Sequence, residues 1–343
     1  MFVTVPVYEL PMALSKKLRR VLLAGVTVAA AAAACVWVDR TADAQLEPYA
    51  RLLAAEHARN SERTPRVVIG RAVPGDARVA LEVLLFQVQS LELTWRAKVA
   101  TGDALTEEEL AQLPAWRAHF PELRAALQLD GHTRKPLFEH LGVRSREVPI
   151  MPGMKLHSAL AMAGELALTS NPAEGTTMIL EALALGLELG HRGDLISTLV
   201  SASLTKSSCA QIERRWRDLD ASQLSALAVM RFYAGEKPFS GARLHEINIP
   251  FLAATEGPGN NLLETIPLWR KRVYSAHLET LDSFYLAADR AYETGDDAAC
   301  EQSPAAQRLP DWTIGAELIC PKGREIRDAA AALAALKARV PSG

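Results

Sequence analysis

Residues 172–189 constrain the fold more than any other stretch, because they read as a helix that is apolar on nearly every side. Asn171 stands at the N-cap position, Pro172 at the first helical position and Glu174 three residues after the cap, a combination typical of helix starts. Gly190 follows as a stop, where glycine tolerates a left-handed C-cap. A helix without a polar face has to be surrounded by other elements. We therefore expect this helix to lie at the centre of the fold.

The neighbouring stretches continue the helical pattern. The spacing of apolar residues predicts one helix before this segment, from about Pro152, and one after it, ending near Cys209. Helix starts and three- and four-residue spacings recur from Pro74 to the C-terminus, whereas residues 67–69 are the only stretch with the composition of a strand. The sequence predicts an all-α fold, an irregular multi-helix array of antiparallel helical hairpins preceded by one N-terminal transmembrane or signal helix.

The amino terminus has the pattern of an export signal. Lys16, Lys17, Arg19 and Arg20 precede an uncharged run over residues 21–38. This run falls within the roughly 17 to 25 residues that span a bilayer and exceeds the roughly 7 to 15 that are usual for the apolar part of a signal peptide. Its length favours a retained membrane anchor.

Two alternatives to the retained anchor stay open. Residues 42–44 supply an A-x-A pattern for cleavage before Gln45, and Cys35 offers a site for lipid attachment. In all three cases the cationic flank stays in the cytoplasm and the chain from about Asp39 onward is exported. We expect a single-pass protein of a bacterial inner membrane with a periplasmic C-terminal domain or, after cleavage, a secreted or periplasmic protein.

These signals divide the chain into four segments. Residues 1–20 form a cytoplasmic segment, 21–38 the anchor or signal segment, 39–74 a linker with a short helix, and 75–343 the exported helical domain. A polar, proline-broken stretch at 130–152 is either a sub-boundary or a long loop on a single domain. The total of 343 residues, 49% of them apolar, is enough for one large domain or two ordinary ones.

Charge gives little information about partners. The formal net charge of -2 provides neither a basic excess for nucleic acid nor an acidic excess for cationic partners. Trp269, Arg270, Lys271 and Arg272 mix an aromatic ring with cations, as surfaces for single-stranded nucleic acid do, but export separates them from that partner. We expect no nucleic acid; the cations could instead face anionic headgroups or an acidic protein. The expected partners are the cytoplasmic membrane and another envelope protein.

Three cysteines follow the apolar segment, so at most one disulfide can form between them. Cys300 and Cys320 bracket an irregular, proline-containing loop, and we predict that they pair. In an oxidising compartment, closing a loop of this size is worth roughly 3 kcal/mol in the chain-entropy model. Cys209 is expected to be a small buried side chain.

A search for chemistry yields no strong motif. The histidines form no H-E-x-x-H pattern, and no paired C-x-x-C is present to complete a zinc site. His132 and His140 flank Glu139, and His245 adjoins Glu246. Neighbouring residues point in different directions on a helix, so neither group predicts a metal site.

Ser203 and Lys206 match the S-x-x-K pattern of penicillin-recognising serine enzymes, in which the lysine lies one turn from the nucleophile. The companion motifs S-D-N and K-T-G are absent from the sequence. We therefore assign no catalytic residue, no metal ligand and no cofactor.

The succession of helices from Leu156 to Leu204 resembles uncharacterised exported or membrane-anchored helical proteins of GC-rich bacteria and, in a general way, helical-hairpin arrays. The resemblance implies a helical fold and no particular activity. We expect a structural or interaction protein of the cell envelope, tethered by residues 21–38 and without enzymatic activity.

The alternative is an exported enzyme or small-ligand binder whose site is assembled from separate helices. This alternative gains if at least two members of one set of polar residues line an enclosed pocket. The set consists of His157, Glu165, His191, His245, Glu246 and His277.

Overall fold

The computed structural model describes residues 16–60, 63–66, 68, 70–94, 98, 105–133, 150–191, 195–235, 238–255, 267–309 and 319–341. Most of these residues lie in helices that pack on one another, which confirms the predicted all-α class with its long apolar N-terminal helix. One main hydrophobic core runs from Leu81 to Leu336 and therefore joins helices on both sides of residues 130–152. Residues 134–149 of that stretch are outside the described part of the chain.

Helix α1 (Lys16–Asn60) carries the N-terminal apolar segment. Among the described residues it is the one helix that is long and apolar enough to cross a membrane, by length and composition. Its side chains are exposed from Leu23 to Trp37. Beyond that point the same helix continues without interruption, through Pro48, and packs on the C-terminal half of the molecule.

The structure thus differs from the linker with a short helix that was expected at residues 39–74. The second half of α1 contacts two helices of the C-terminal half, Ser240–Thr255 and Pro267–Thr294. Ala42 and Leu46 are buried there, and Leu46 belongs to a second, smaller core with Ile247, Ala254 and Leu278. The helix continues because its apolar face is covered, a tertiary effect that local sequence signals do not report.

A small sheet lies beside the helices, and the sequence did not predict it. Its strands are β1 (Arg63–Pro65), β2 (Val73–Asp76) and β3 (Leu129–Thr133), in the order β1-β3-β2, with β1 antiparallel and β2 parallel to β3. The strands contain Gly, Pro and Asp, which are unfavourable in strands, and the pairing of Arg63 with Thr133 is non-local. Residues 67 and 69 of the expected extended stretch lie outside the described residues.

Short helices lie between β2 and β3 in the sequence, and the first of them packs on β3. They are α2 (Ala77–Gln87), α3 (Glu107–Leu110), α4 (Leu113–Arg117) and α5 (Phe120–Leu127). Asp76 caps α2 by accepting hydrogen bonds from the backbone of Arg78 and Val79. Thr106 and Glu109 form a complete capping box at α3.

The centre of the molecule consists of α6 (Ile150–Ala167), α7 (Pro172–Leu189) and α8 (Leu195–Arg214), which pack as consecutive antiparallel hairpins. Gly164 and Gly175 allow α6 and α7 to approach closely, since a Cβ at either would lie 2.8 Å from the other's carbonyl oxygen. Helix α7 contacts α5, α6, α8 and α9 and is buried along most of its length. Asn171 caps it as expected, but Gly190 ends it with φ of -93° rather than in the left-handed region.

The C-terminal half completes the core with α9 (Ala221–Val229), α10 (Ser240–Thr255), α11 (Pro267–Thr294), α12 (Asp297–Glu301) and α13 (Lys322–Ala338). Helix α13 packs on α8. A disulfide joins Cys300 to Cys320, the predicted pair, and both cysteines are buried. Cys209 is buried on α8, and burial raises the pKa of its thiol to about 12, so it remains a protonated side chain of the core.

Candidate functional site

The polar residues that the sequence singled out do not form one site among the described residues. His157 meets Ser208, with Nε2 and Oγ 2.8 Å apart, in the centre of the helices. Glu165 accepts a hydrogen bond of 2.7 Å from Arg215 at a partly exposed position. His277 packs on Tyr274 near α1. These residues lie at separate places in the fold.

Several other sequence candidates are half-buried or exposed, or have side chains outside the described residues. Glu246 is half-buried on α10, whereas the side chain of His245, like residues 139 and 140, is not described. Ser203 is exposed, and Lys206 lies 3.4 Å from Asp328 in an exposed ion pair. The S-x-x-K residues therefore do not face an enclosed pocket.

Two of the histidines named from the sequence, His132 and His191, converge with Glu188 at the end of α7. His132 on β3, Glu188 in the last turn of α7 and His191 just after that helix each offer one metal-ligand atom, and the three atoms lie within 4.8 Å of one another. All three residues are buried. The backbone N–H of His191 donates to the carbonyl oxygen of Glu188 at 3.0 Å, which fixes the two residues relative to each other.

Arg66 holds the carboxylate of Glu188 from the other side. Its Nε donates to Glu188 Oε1 at 2.9 Å, and both side chains are at most 5% exposed. Its Nη1 donates to the carbonyl oxygens of Leu127 and Leu129 at 2.8 Å each. One buried guanidinium therefore connects the end of α5, the start of β3 and the end of α7.

The two histidines contact the carboxylate and each other. His132 Nδ1 lies 3.1 Å from Glu188 Oε2. The ring of His191 packs edge-on against the ring of His132, with ring centroids 4.1 Å apart. The ring of Tyr233 also contacts the ring of His191, with centroids 4.3 Å apart. Among the described residues, Nδ1 of His191 has no hydrogen-bond partner although it is buried.

The electrostatics of the cluster fix two charge states at neutral pH. Burial raises the pKa of Glu188, but the hydrogen bond with His132 and the charge of Arg66 outweigh it and hold the pKa at about 2. Burial, helped by the charge of His132, lowers the pKa of His191 to about 4. Glu188 is therefore an anion and His191 a neutral imidazole.

The cluster could not have been assembled from local sequence signals alone. Glu188 and His191 are three residues apart, a spacing that places two side chains on one face of a helix, and this was the one available signal. His132 is 56 residues away from Glu188 in the sequence and comes from a strand that the sequence did not predict. The leucine-rich sequence around Glu188 gives no local signal that its buried carboxylate has charged partners.

Two imidazoles and one carboxylate are a common ligand set for Zn²⁺ and other first-row divalent metals. The same residues also form a buried network of charge and hydrogen bonds that joins the sheet to α7. The two descriptions differ in whether an ion binds, which is a measurable property.

Buried histidines make the stability of the protein depend on pH between pH 7 and 5. Burial lowers the pKa of His157 to about 4, below the ordinary value near 6.5. The folded state therefore binds a proton at His157 less readily than the unfolded chain does. The contribution of the neutral His157 to folding stability is complete above about pH 6.5 and is lost as the pH falls toward 4. The free energy of unfolding should fall by on the order of 2 kcal/mol between pH 7 and pH 5 because of His157.

Urea unfolding at pH 7 and pH 5 measures this loss. On going from pH 7 to pH 5, His157→Gln should lose less unfolding free energy than the unchanged protein. The part of the loss that is due to His191 should remain. Equal losses in the two proteins would contradict a buried neutral His157.

Fold and site together define a helical protein with one apolar N-terminal helix and a buried cluster of two histidines and one glutamate. Comparison with known proteins adds no relative: no family model matches the sequence, and no curated protein or solved structure is significantly similar to it. Its function has to be inferred from the contacts of its own residues.

Proposed function

We propose that this chain is a membrane-anchored helical protein of the bacterial inner membrane that keeps its apolar segment after export and serves as a structural or interaction protein of the envelope. The observation that carries the proposal is the packing of α1 beyond residue 38. The residues around the A-x-A pattern are part of the folded domain: Ala42 is fully buried, and Leu46 lies in the second core.

Polar contacts attach the same part of α1 to α11. Lys271 Nζ donates to Asp39 Oδ1 at 3.0 Å and to Asp43 Oδ1 at 2.8 Å, and these hydrogen bonds raise the pKa of Lys271. Arg272 Nη1 donates to Gln45 Oε1 at 2.7 Å. Cleavage before Gln45 would remove both carboxylates that hold Lys271 and the buried side chain of Ala42, and would uncover apolar surface on α10 and α11.

The continuous helix also sets the distance between the domain and the membrane. Val38, the end of the apolar run, and Leu46, in the second core, are separated by eight residues of α1, which is about 12 Å along a helix. The domain is then held close to the membrane surface, and α10 and α11 are its nearest elements. A protein held in this way meets partners that lie along the same membrane, which supports a role in envelope interactions.

The cations of α11 serve this attachment rather than an external partner. Lys271 and Arg272 bind residues of α1, and Arg270 Nε donates to the carbonyl oxygen of Ala254 at 3.3 Å. All three cations therefore have hydrogen-bond partners within the chain.

Fractionation of cells that express the full chain tests retention of the anchor. We expect the protein in the membrane fraction, released by detergent and not by high salt, with an intact mass that includes residues 21–44. Leu46→Glu should leave the protein in the membrane but expose α1 to proteolysis after residue 38, because a charge in the second core separates the helix from the domain; Glu47→Gln, at an exposed position of the same helix, is the matched control.

A soluble product that begins at Gln45 would overturn the anchored form. The interaction role is tested by cross-linking in the envelope and by deletion. The interaction role is contradicted if the detergent-purified chain is monodisperse and captures no envelope protein, and if deletion of the chain causes no assembly defect.

A second function is favoured by one specific observation, the convergence of His132, Glu188 and His191. This function would place the chain in the class of exported ligand binders.

A further inference from the structure

The cluster at the end of α7 has both the donors and the spacing of a metal centre. We propose that His132, Glu188 and His191 bind one divalent transition-metal ion, for which Zn²⁺ is the appropriate probe. Zinc sites with three protein ligands from histidine and glutamate leave a fourth position for water or a substrate. The proposal concerns residues on β3 and α7, whereas the anchor proposal concerns α1, α10 and α11, so either can fail without the other.

The distances are compatible with a small ion. Zinc bonds of 2.0–2.1 Å in a tetrahedral site place neighbouring ligand atoms about 3.3 Å apart, and His132 Nδ1 lies 3.1 Å from Glu188 Oε2. One ligand atom from each of the three residues lies within 4.8 Å of the other two. A modest movement of the His191 ring therefore completes the site.

Arg66 has the position of an outer-shell residue. Carboxylates that bind metals are usually hydrogen-bonded by a second residue, which fixes their orientation. Arg66 Nε binds Oε1 of Glu188, and Oε2 faces His132. The positive charge of Arg66 opposes a cation, so we expect a weaker affinity than in a zinc site with two carboxylates.

His191 provides an independent indication of a ligand. The residue is 9% exposed, and among the described residues its Nδ1 has no hydrogen-bond partner. A buried polar atom without a partner is costly and is uncommon in folded proteins. Coordination would place the imidazole in a polar contact that no described protein group provides.

His157 offers a matched comparison elsewhere in the fold. It is also buried, and its Nδ1 has no hydrogen-bond partner among the described residues either. Its other nitrogen meets the hydroxyl of Ser208, and it does not belong to the group of potential metal ligands. Replacement of His157 should therefore leave metal binding unchanged.

The test uses the full chain without a histidine tag, purified in detergent, treated with EDTA and dialysed. Zn²⁺ is titrated by calorimetry, and Co²⁺ is added to a second sample because its visible absorption reports tetrahedral coordination. We expect one Zn²⁺ per chain and tetrahedral Co²⁺ bands. His191→Ala should weaken Zn²⁺ binding by at least about tenfold, and His157→Gln should bind as the unchanged protein does.

His191→Ala leaves the contacts of Glu188 with Arg66 and His132 in place, so it should fold, and circular dichroism verifies this. Glu188→Gln is the second variant and should also lose the Co²⁺ bands. Absence of stoichiometric Zn²⁺, or equal binding by unchanged protein and His191→Ala, would overturn the proposal and leave a buried ion-pair network without an ion.

Discussion

Leu183→Asp should unfold the helical domain. Leu183 is fully buried in the middle of α7, which is surrounded by α5, α6, α8 and α9. The substitution removes a buried aliphatic side chain and places a carboxylate where no partner is available, and each change costs several kcal/mol. Because the total stability of a domain is about 5 to 15 kcal/mol, the sum is enough to unfold it.

Circular dichroism and urea unfolding measure this effect. Leu183→Met should stay folded with a loss below about 1.5 kcal/mol, since it nearly conserves volume. Ile196→Asp is the matched control, because Ile196 is 52% exposed on the neighbouring helix α8. A soluble, fully folded Leu183→Asp protein would show that α7 is not the centre of the fold.

Arg66→Met should destabilise the protein by about 3 to 5 kcal/mol. The substitution leaves the carboxylate of Glu188 buried without its guanidinium partner, and breaking one side of a buried ion pair is costly for that reason. It also removes the donor to the carbonyl oxygens of Leu127 and Leu129. Urea unfolding in the presence of EDTA measures the loss without any contribution from bound metal.

The double variant Arg66→Met/Glu188→Leu tests whether the loss in Arg66→Met comes from the unpaired charge of Glu188. Apolar replacement of both partners should recover much of the stability, because no isolated charge remains. Lys206→Met is the control: its ion pair with Asp328 is exposed, and such pairs are worth about 1 kcal/mol or less. Arg66→Met and Glu188→Leu are also measured alone. If their effects on the unfolding free energy add up in the double variant, Arg66 and Glu188 are not energetically coupled.

Local signals predicted the helices well, because a helix is defined by residues close in sequence. Asn171 binds the backbone N–H of Glu174 at the start of α7, and Thr106 forms its capping box with Glu109. Cys300 and Cys320 are only 20 residues apart, and their pairing followed from the loop that they enclose. In each case the partner lies within the same short segment.

The sequence failed where two distant segments meet. The continuation of α1 depends on apolar contacts of Leu46 with residues of α10 and α11, about 200 positions later. The sheet depends on β3 reaching back to β1, and its strands have little intrinsic preference for that conformation. Neither pairing leaves a periodic pattern in the sequence.

The apolar helix at residues 172–189 illustrates the division. Its sequence determined that it is helical, where it begins and that it is buried, since those properties follow from capping and from the lack of a polar face. Only the tertiary structure decided which side chains contact Glu188 at the C-terminal end of this helix. Glu188 is one acidic residue among leucines until Arg66, which follows β1, and His132, on β3, reach it from far earlier in the chain. Non-local contacts of that kind are formed only when the chain folds.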